Sequence, residues 1–333
     1  MNERLAGIAG PLMPGHVSHG RLEDVLRSGE FAVTAELNPP DSADPTDFYH
    51  RARFFDGWAD AVNVTDGAGG TCHMSSLAAS VLSMDAGLSP IMQMTCRDSN
   101  RIGLQANILG AAALGISSIL CLRGDSIRAD DNPGAKAVFD LETLDLIETA
   151  RIMRDNGRFP GGKALLSSPR LFIGATANPF AEDIDSEIGR LAKKIDAGAN
   201  FIQTQFCFDV PRLRMFMRHV EDKGLFGRCF VLVGVGPLRS AKSARWMRER
   251  LFGVSIPDGL IARLEGAADQ AQEGRMHCVE TIQELQVVRG VSGIHLMAPM
   301  QEEVASELVG RSGVLKARRG HAPSERRRRQ GMT

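Results

Sequence analysis

Short runs of apolar and β-branched residues recur at 31–37, 61–65, 90–95, 118–122, 171–176, 201–206, 229–233 and 293–297. Each run predicts a strand, and polar loops and segments of helical periodicity lie between them. The runs start 30, 29, 28, 53, 30, 28 and 64 residues apart, so most share one spacing and two intervals leave room for longer loops or extra helices. Segment 184–197 shows the helical pattern well. Ile184, Ile188, Leu191 and Ile195 fall on one side, while Asp185, Glu187, Arg190 and Lys194 fall elsewhere. Segments 100–114 and 141–155 behave similarly, and Gly198 supplies a helix stop before the next strand.

Alternating strands and helices predict a parallel sheet covered by helices. The first strand runs into Glu36-Leu37-Asn38-Pro39-Pro40 and lacks the glycine-rich turn of an open dinucleotide-binding sheet. Eight strand–helix units in about 300 residues predict an α/β fold of the (β/α)8 TIM-barrel type. Residues 1–28 read as an N-terminal helical arm, 29–315 as the barrel, and 316–333 as a disordered basic tail. The formal net charge of the 333 residues is −1, but the tail carries +6 of it, leaving about −7 on residues 1–315. That balance argues against nucleic acid as a partner. No apolar run reaches the roughly 18 residues a membrane span needs. The six cysteines are dispersed without a CxxC pair, which fits a reducing, cytoplasmic setting and argues against a structural metal. A homo-oligomer is compatible with the sequence, which does not define the assembly.

A barrel of this kind places its site at the carboxyl ends of its strands. Read there, the chain offers Glu36; Thr65, Asp66 and the loop 67–70; Thr95, Arg97 and Asp98; Arg123, Gly124 and Asp125; Thr176; Gln205; and the segment from His295 to Gln301. Carboxylates, amides and an arginine suit a large polar ligand and the movement of protons or hydride better than hydrolysis. Glu36 stands out, because a carboxylate on an otherwise apolar strand is costly to bury without purpose. Blander readings stand beside the rest: Thr65 and Asp66 as helix caps, Arg123 with Asp125 as a loop salt bridge, Gln205 as a capping amide. Cys72-His73 lacks the further ligands of a metal site. The G-x-x-x-x-G-K stretch at 157–163 is followed by Ala164, and it precedes a strand where a phosphate loop would follow one.

Six segments carry a resemblance: Ala35-Glu36-Leu37-Asn38-Pro39-Pro40, Asn63-Val64-Thr65-Asp66-Gly67, Met94-Thr95-Cys96-Arg97-Asp98, Leu122-Arg123-Gly124-Asp125, Lys194-Ile195-Asp196-Ala197-Gly198-Ala199 and Thr204-Gln205-Phe206-Cys207-Phe208-Asp209. In this order and spacing, over about residues 25–305, the chain resembles the methylenetetrahydrofolate reductase family. The resemblance implies a barrel that binds FAD and passes hydride from NAD(P)H through the flavin to 5,10-methylenetetrahydrofolate, giving 5-methyltetrahydrofolate. It implies Glu36 as the general acid and Asp125 as a second catalytic carboxylate that also binds flavin and pterin. Thr65, Asp66, Ala68, Gln93, Arg123, Gly124, Thr176, Glu187 and Lys194 would contact the cofactor, and Gln205, Thr65 and Gln301 the substrate.

The chain departs from the family pattern at Gln93, where histidine is frequent, at Thr176, where tyrosine is frequent, and at Ser243 and Gln301. These departures motivate the alternative of a non-catalytic folate- or flavin-binding partner subunit of another one-carbon enzyme. The retained Glu36, Asp125 and Gln205 speak for catalysis.

Overall fold

The computed structural model describes residues 15–315 apart from Ala129 and Met300. The tail from Lys316 and the first half of the expected arm lie outside the described residues. Eight parallel strands close into a barrel in sequence order. They are β1 (Ala32–Leu37), β2 (Ala61–Val64), β3 (Pro90–Thr95), β4 (Ser118–Leu122), β5 (Phe172–Ala177), β6 (Phe201–Phe206), β7 (Phe230–Val235) and β8 (Val291–Leu296). The ring shuts where Ala32 to Ala35 of β1 pair with Gly293 to Leu296 of β8.

Around the barrel lie α2 (Thr46–Ala52), α3 (Ser76–Asp85), α4 (Arg101–Ala113), α5 (Thr143–Asn156), α6 (Ile184–Ala197), α7 (Val210–Asp222), α10 (Gln270–Leu285) and α11 (Ala305–Ser312). The 64-residue interval holds α8 (Ala241–Arg250) and α9 (Asp258–Glu265) as well as α10. The 53-residue interval holds α5 and a short antiparallel bridge, Arg158 to Ala164, on which the phosphate-loop lookalike is used up as a turn.

Strand residues alternate between the barrel lumen and the helical shell. Outward residues such as Val33, Ala35, Val62, Val64, Ile119 and Ile173 join the large core beneath the helices. Inward residues form layers. The floor is apolar: Ala32, Ala61, Ile91, Leu120, Phe172, Phe201 and Leu232 meet Leu22 and Leu26 of α1 (Arg21–Arg27). The expected arm therefore includes a helix that plugs the amino-terminal end of the barrel. The Phe172 and Phe201 rings stack with centroids 5.1 Å apart. Position 174 is glycine because a Cβ there would lie 2.2 Å from the Phe201 ring.

Above the floor is a polar layer. The amides of Asn63 and Gln203 exchange hydrogen bonds at 2.6 and 3.0 Å, Gln203 donates to Thr34 Oγ1 at 3.3 Å, and that hydroxyl lies 3.1 Å from His295 Nδ1. Buried amides satisfied by one another hold a single arrangement, since any slip leaves a donor unpaired. Burial pushes the His295 imidazole down to about 3, which keeps it neutral. This layer is the platform beneath the mouth.

Candidate active site

Two residues beyond Thr34 on the same face of β1 stands Glu36. Its carboxyl has no hydrogen-bond partner among the described residues. Burial first, then the anions of Glu302 and Asp125, push its pKa up to about 7. Glu302 was not singled out from the sequence. It follows β8, is 5% exposed, and its Oε1 lies 3.3 Å from Arg51 Nη1 of α2. Three carboxylates thus face one mouth, and Glu36, the one whose pKa is raised to about 7, holds a proton near neutrality.

Asp125 is exposed on the loop after β4, where the Gly69 N–H donates to its Oδ2 at 2.9 Å. That donor comes from the turn Ala68–Gly70, in which Gly69 and Gly70 both have positive φ. Gly70 has φ +74, and a Cβ there would sit 2.0 Å from the Ser126 carbonyl oxygen. Buried Arg97 ties the two loops together by donating to the carbonyls of Gly67 (3.0 Å) and Asp125 (3.3 Å) and pairing with Asp98. The Ala68 carbonyl faces His73 Nε2 at 3.2 Å, and Nδ1 of that imidazole pairs with Asp41. His73 is thereby committed to stitching the β1 and β2 loops.

The remaining sequence-predicted residues fall in two groups. Around β1–β4, Thr65 donates to Asn38 Oδ1 at 3.1 Å. Asp66 accepts from the amide and hydroxyl of Thr95 at 2.9 and 3.0 Å, tying the loop after β2 to the end of β3, and burial raises its pKa. Gln93 is buried in the barrel. At Gly124, with φ +93, a Cβ would lie 3.0 Å from the Cβ atoms of Thr95 and Arg97. Arg123 lies over the Phe139 ring at 4.2 Å and 3.6 Å from Glu142.

Around β5 and β6, Lys194 Nζ donates to the Thr176 carbonyl at 2.6 Å. Glu187 accepts from the Asn178 amide at 2.8 Å and pairs with Arg190 at 2.6 Å. Gln301 begins the short turn that carries Glu302, and Ser243 caps α8 with Ser240. Gln205 is not pointed at open solvent: Nε2 donates to the Phe252 carbonyl at 2.9 Å, and Oε1 accepts from the Phe206 amide. A register shift between β6 and β7 produces this orientation. Gly234 permits it, since a Cβ there would lie within 2.7 Å of the Thr204 and Gln205 carbonyls.

The group around β5 and α6 fits the charge of the FAD that the resemblance implies. Lys194 is a partly buried ammonium whose pKa is held below the usual lysine value by burial. It spends one of its three protons on Thr176 and keeps two donors for an anion such as a diphosphate. Arg123 adds a guanidinium on the rim after β4.

The family model for methylenetetrahydrofolate reductase matches residues 21–313. Methylenetetrahydrofolate reductase 1 of Schizosaccharomyces pombe is 26% identical over 307 residues, covering 88% of this chain and 47% of its own length. A probable methylenetetrahydrofolate reductase (NADPH) of Caenorhabditis elegans is 26% identical over 246 residues, covering 73% and 35%. The chain thus spans about half or less of the length of these curated relatives. Among solved structures, an uncharacterized protein from Clostridium thermocellum that binds two copies of 5-methyl-5,6,7,8-tetrahydrofolic acid has a TM-score of 0.60 at 15% identity, covering 89% of this chain and 98% of that one. At that identity the likeness speaks to the fold. The matched region takes in all eight strands, with Glu36 and Gln205, and the loops bearing Asp125 and Glu302, and the chain belongs to the methylenetetrahydrofolate reductase family.

Proposed function

We propose that the chain reduces 5,10-methylenetetrahydrofolate to 5-methyltetrahydrofolate with electrons from NAD(P)H, with FAD bound at the strand ends. The observation that carries this reading is Glu36, a carboxylic acid set in the mouth of the barrel with Glu302 and Asp125, where burial and their charges push its pKa up to about 7. Opening the five-membered folate ring requires a proton on the departing nitrogen, N10. An acid with a pKa near ambient pH is the effective donor. Once its proton has moved from Oε to N10, the Glu36 carboxylate faces the cationic N5 iminium and stabilises it. Asp125, held by the Gly69 amide, adds a second fixed anion.

When bound, FAD supplies a two-electron carrier between nicotinamide and folate. Lys194 would hold its diphosphate, Glu187 its ribityl hydroxyls, and Arg123, Gly124 and the glycine turn its ring edge. The relatives' names include both NADPH and NADH, so both donors belong in the assay. Six unpaired cysteines, five of them buried, support a cytoplasmic setting. No helix among the described residues is long and apolar enough to cross a membrane.

The test is an absorbance spectrum of the protein incubated with FAD and freed of excess. The expected result is a bound flavin that bleaches on anaerobic addition of NADH or NADPH and regains its colour with 5,10-methylenetetrahydrofolate. A protein that retains no flavin, or a reduced flavin that the folate fails to reoxidise, contradicts the proposal.

A further inference from the structure

Phe252 is 95% exposed, yet the turn that carries it is anchored on three sides. Its carbonyl accepts from Gln205 at the end of β6. The next residue, Gly253 with φ +74, lies so close to the loop after β5 that a Cβ there would sit 2.4 Å from Asn178 Nδ2. The preceding residue, Leu251, packs into the small apolar cluster under α8 and α9, and its amide donates to Met247 at 2.9 Å.

Single exposed apolar residues are ordinary on protein surfaces. Leu166 is one, fully exposed on the loop that leads into β5 at the floor end of the barrel. Phe252 differs in its place. Its backbone is fixed to the rim of the mouth, beside the ends of β5 and β6, where Thr176 and Gln205 offer no ring. A folate presents two planar aromatic groups, the pterin and the p-aminobenzoyl ring. Each gains from an aromatic face at stacking distance and little from a rim of amides and hydroxyls.

Building on the folate-reductase reading, we propose that Phe252 is the aromatic platform on which a ring of the folate stacks, and that Gln205 is a positioning residue that holds this platform. Both polar ends of the Gln205 amide are spent inside the protein, one of them on the turn itself. Because the ring contributes no packing to the fold, its removal leaves the melting temperature unchanged.

The experiment compares FAD-loaded wild type, Phe252→Ala, Phe252→Tyr and Gln205→Ala, with Leu166→Ala as a control. Titration calorimetry with 5-methyltetrahydrofolate gives Kd, and steady-state kinetics give KM for methylenetetrahydrofolate and for NAD(P)H. Phe252→Ala is expected to raise the folate Kd and KM roughly fivefold to tenfold, the worth of one aromatic contact, with the nucleotide KM unchanged. Phe252→Tyr retains folate binding. Gln205→Ala reproduces the folate defect, and the double variant with Phe252→Ala loses no more. Unchanged folate binding in Phe252→Ala overturns the platform while leaving the reductase reading standing, and so does a defect confined to the nucleotide KM. A wild type that binds no 5-methyltetrahydrofolate overturns both.

Discussion

Replacing Glu302 by glutamine should move the pH dependence of catalysis toward acid without disturbing the fold. The Glu36 carboxyl is held up to about 7 by burial and then by the anions of Glu302 and Asp125. Glutamine keeps the shape and can still accept from Arg51 Nη1, so the substitution removes one charge and little else. Two charges about 10 Å apart in a partly solvated site interact by about 1.7 kcal/mol. Arg51 offsets part of this, and a net of about 1.4 kcal/mol corresponds to one pH unit.

The acid form of Glu36 is required, so kcat/KM falls as pH rises through its pKa. In Glu302→Gln that fall should be centred near pH 6 instead of near pH 7. The variant is then about ninefold slower than wild type at pH 8 and nearly equal at pH 5.5, within about 1.5-fold. The assay is kcat/KM for methylenetetrahydrofolate between pH 5.5 and 8.5, with melting temperatures of both proteins recorded alongside. A descending limb at the same pH in both proteins refutes the electrostatic argument. A limb displaced toward alkali refutes its sign.

Other perturbations read different parts of the structure. Glu36 binds its proton more tightly folded than unfolded, so its contribution to stability is lost as pH rises from the ordinary value of 4.5 to about 7. Glu36→Gln should therefore gain about 3 kcal/mol over wild type between pH 4.5 and 7.5, measured by urea denaturation at each pH; a constant difference contradicts the raised pKa. Gly70→Ala should cost about 2 kcal/mol or more, because its Cβ meets the Ser126 carbonyl. Gly69→Ala, with φ +70 but open space, should cost only about 1 kcal/mol; equal melting temperatures for the two would count against the packing of these loops. Lys194→Met should weaken FAD binding about tenfold or more at little cost in thermal stability, since relief of a charge disfavoured by burial offsets the lost bond to the Thr176 carbonyl; undiminished flavin affinity would remove Lys194 from the cofactor site.

The barrel was legible because inward and outward residues alternate so regularly. Val33, Ala35 and Leu37 serve the shell, while Thr34 and Glu36 serve the lumen. Boundaries slipped where pairing, not composition, decides them: β8 begins at Val291, two residues before the apolar run at 293–297, because Val291 pairs with Val231. The plug α1 was read only as an arm, since Leu22 and Leu26 acquire meaning from a floor assembled by seven distant strands. Glu302 was invisible because Gln301-Glu302-Glu303 reads as a solvated acidic stretch; its partner Arg51 lies about 250 residues earlier in the chain. Gln205 was legible as a functional position, but its direction was not, because that depends on a register shift against Gly234. The bland reading of Thr65 and Asp66 as helix caps does not hold: Asp66 bonds Thr95 at the end of β3, and Thr65 bonds Asn38 after β1.

The most direct measurement is the rate of NAD(P)H-dependent formation of 5-methyltetrahydrofolate by the wild type and by Glu36→Gln at pH 7, with folate binding measured on both. The account predicts that the variant still binds 5-methyltetrahydrofolate and is slower by a factor of about 100 or more. A variant that turns over as fast as wild type would show that the proton comes from elsewhere and contradict it.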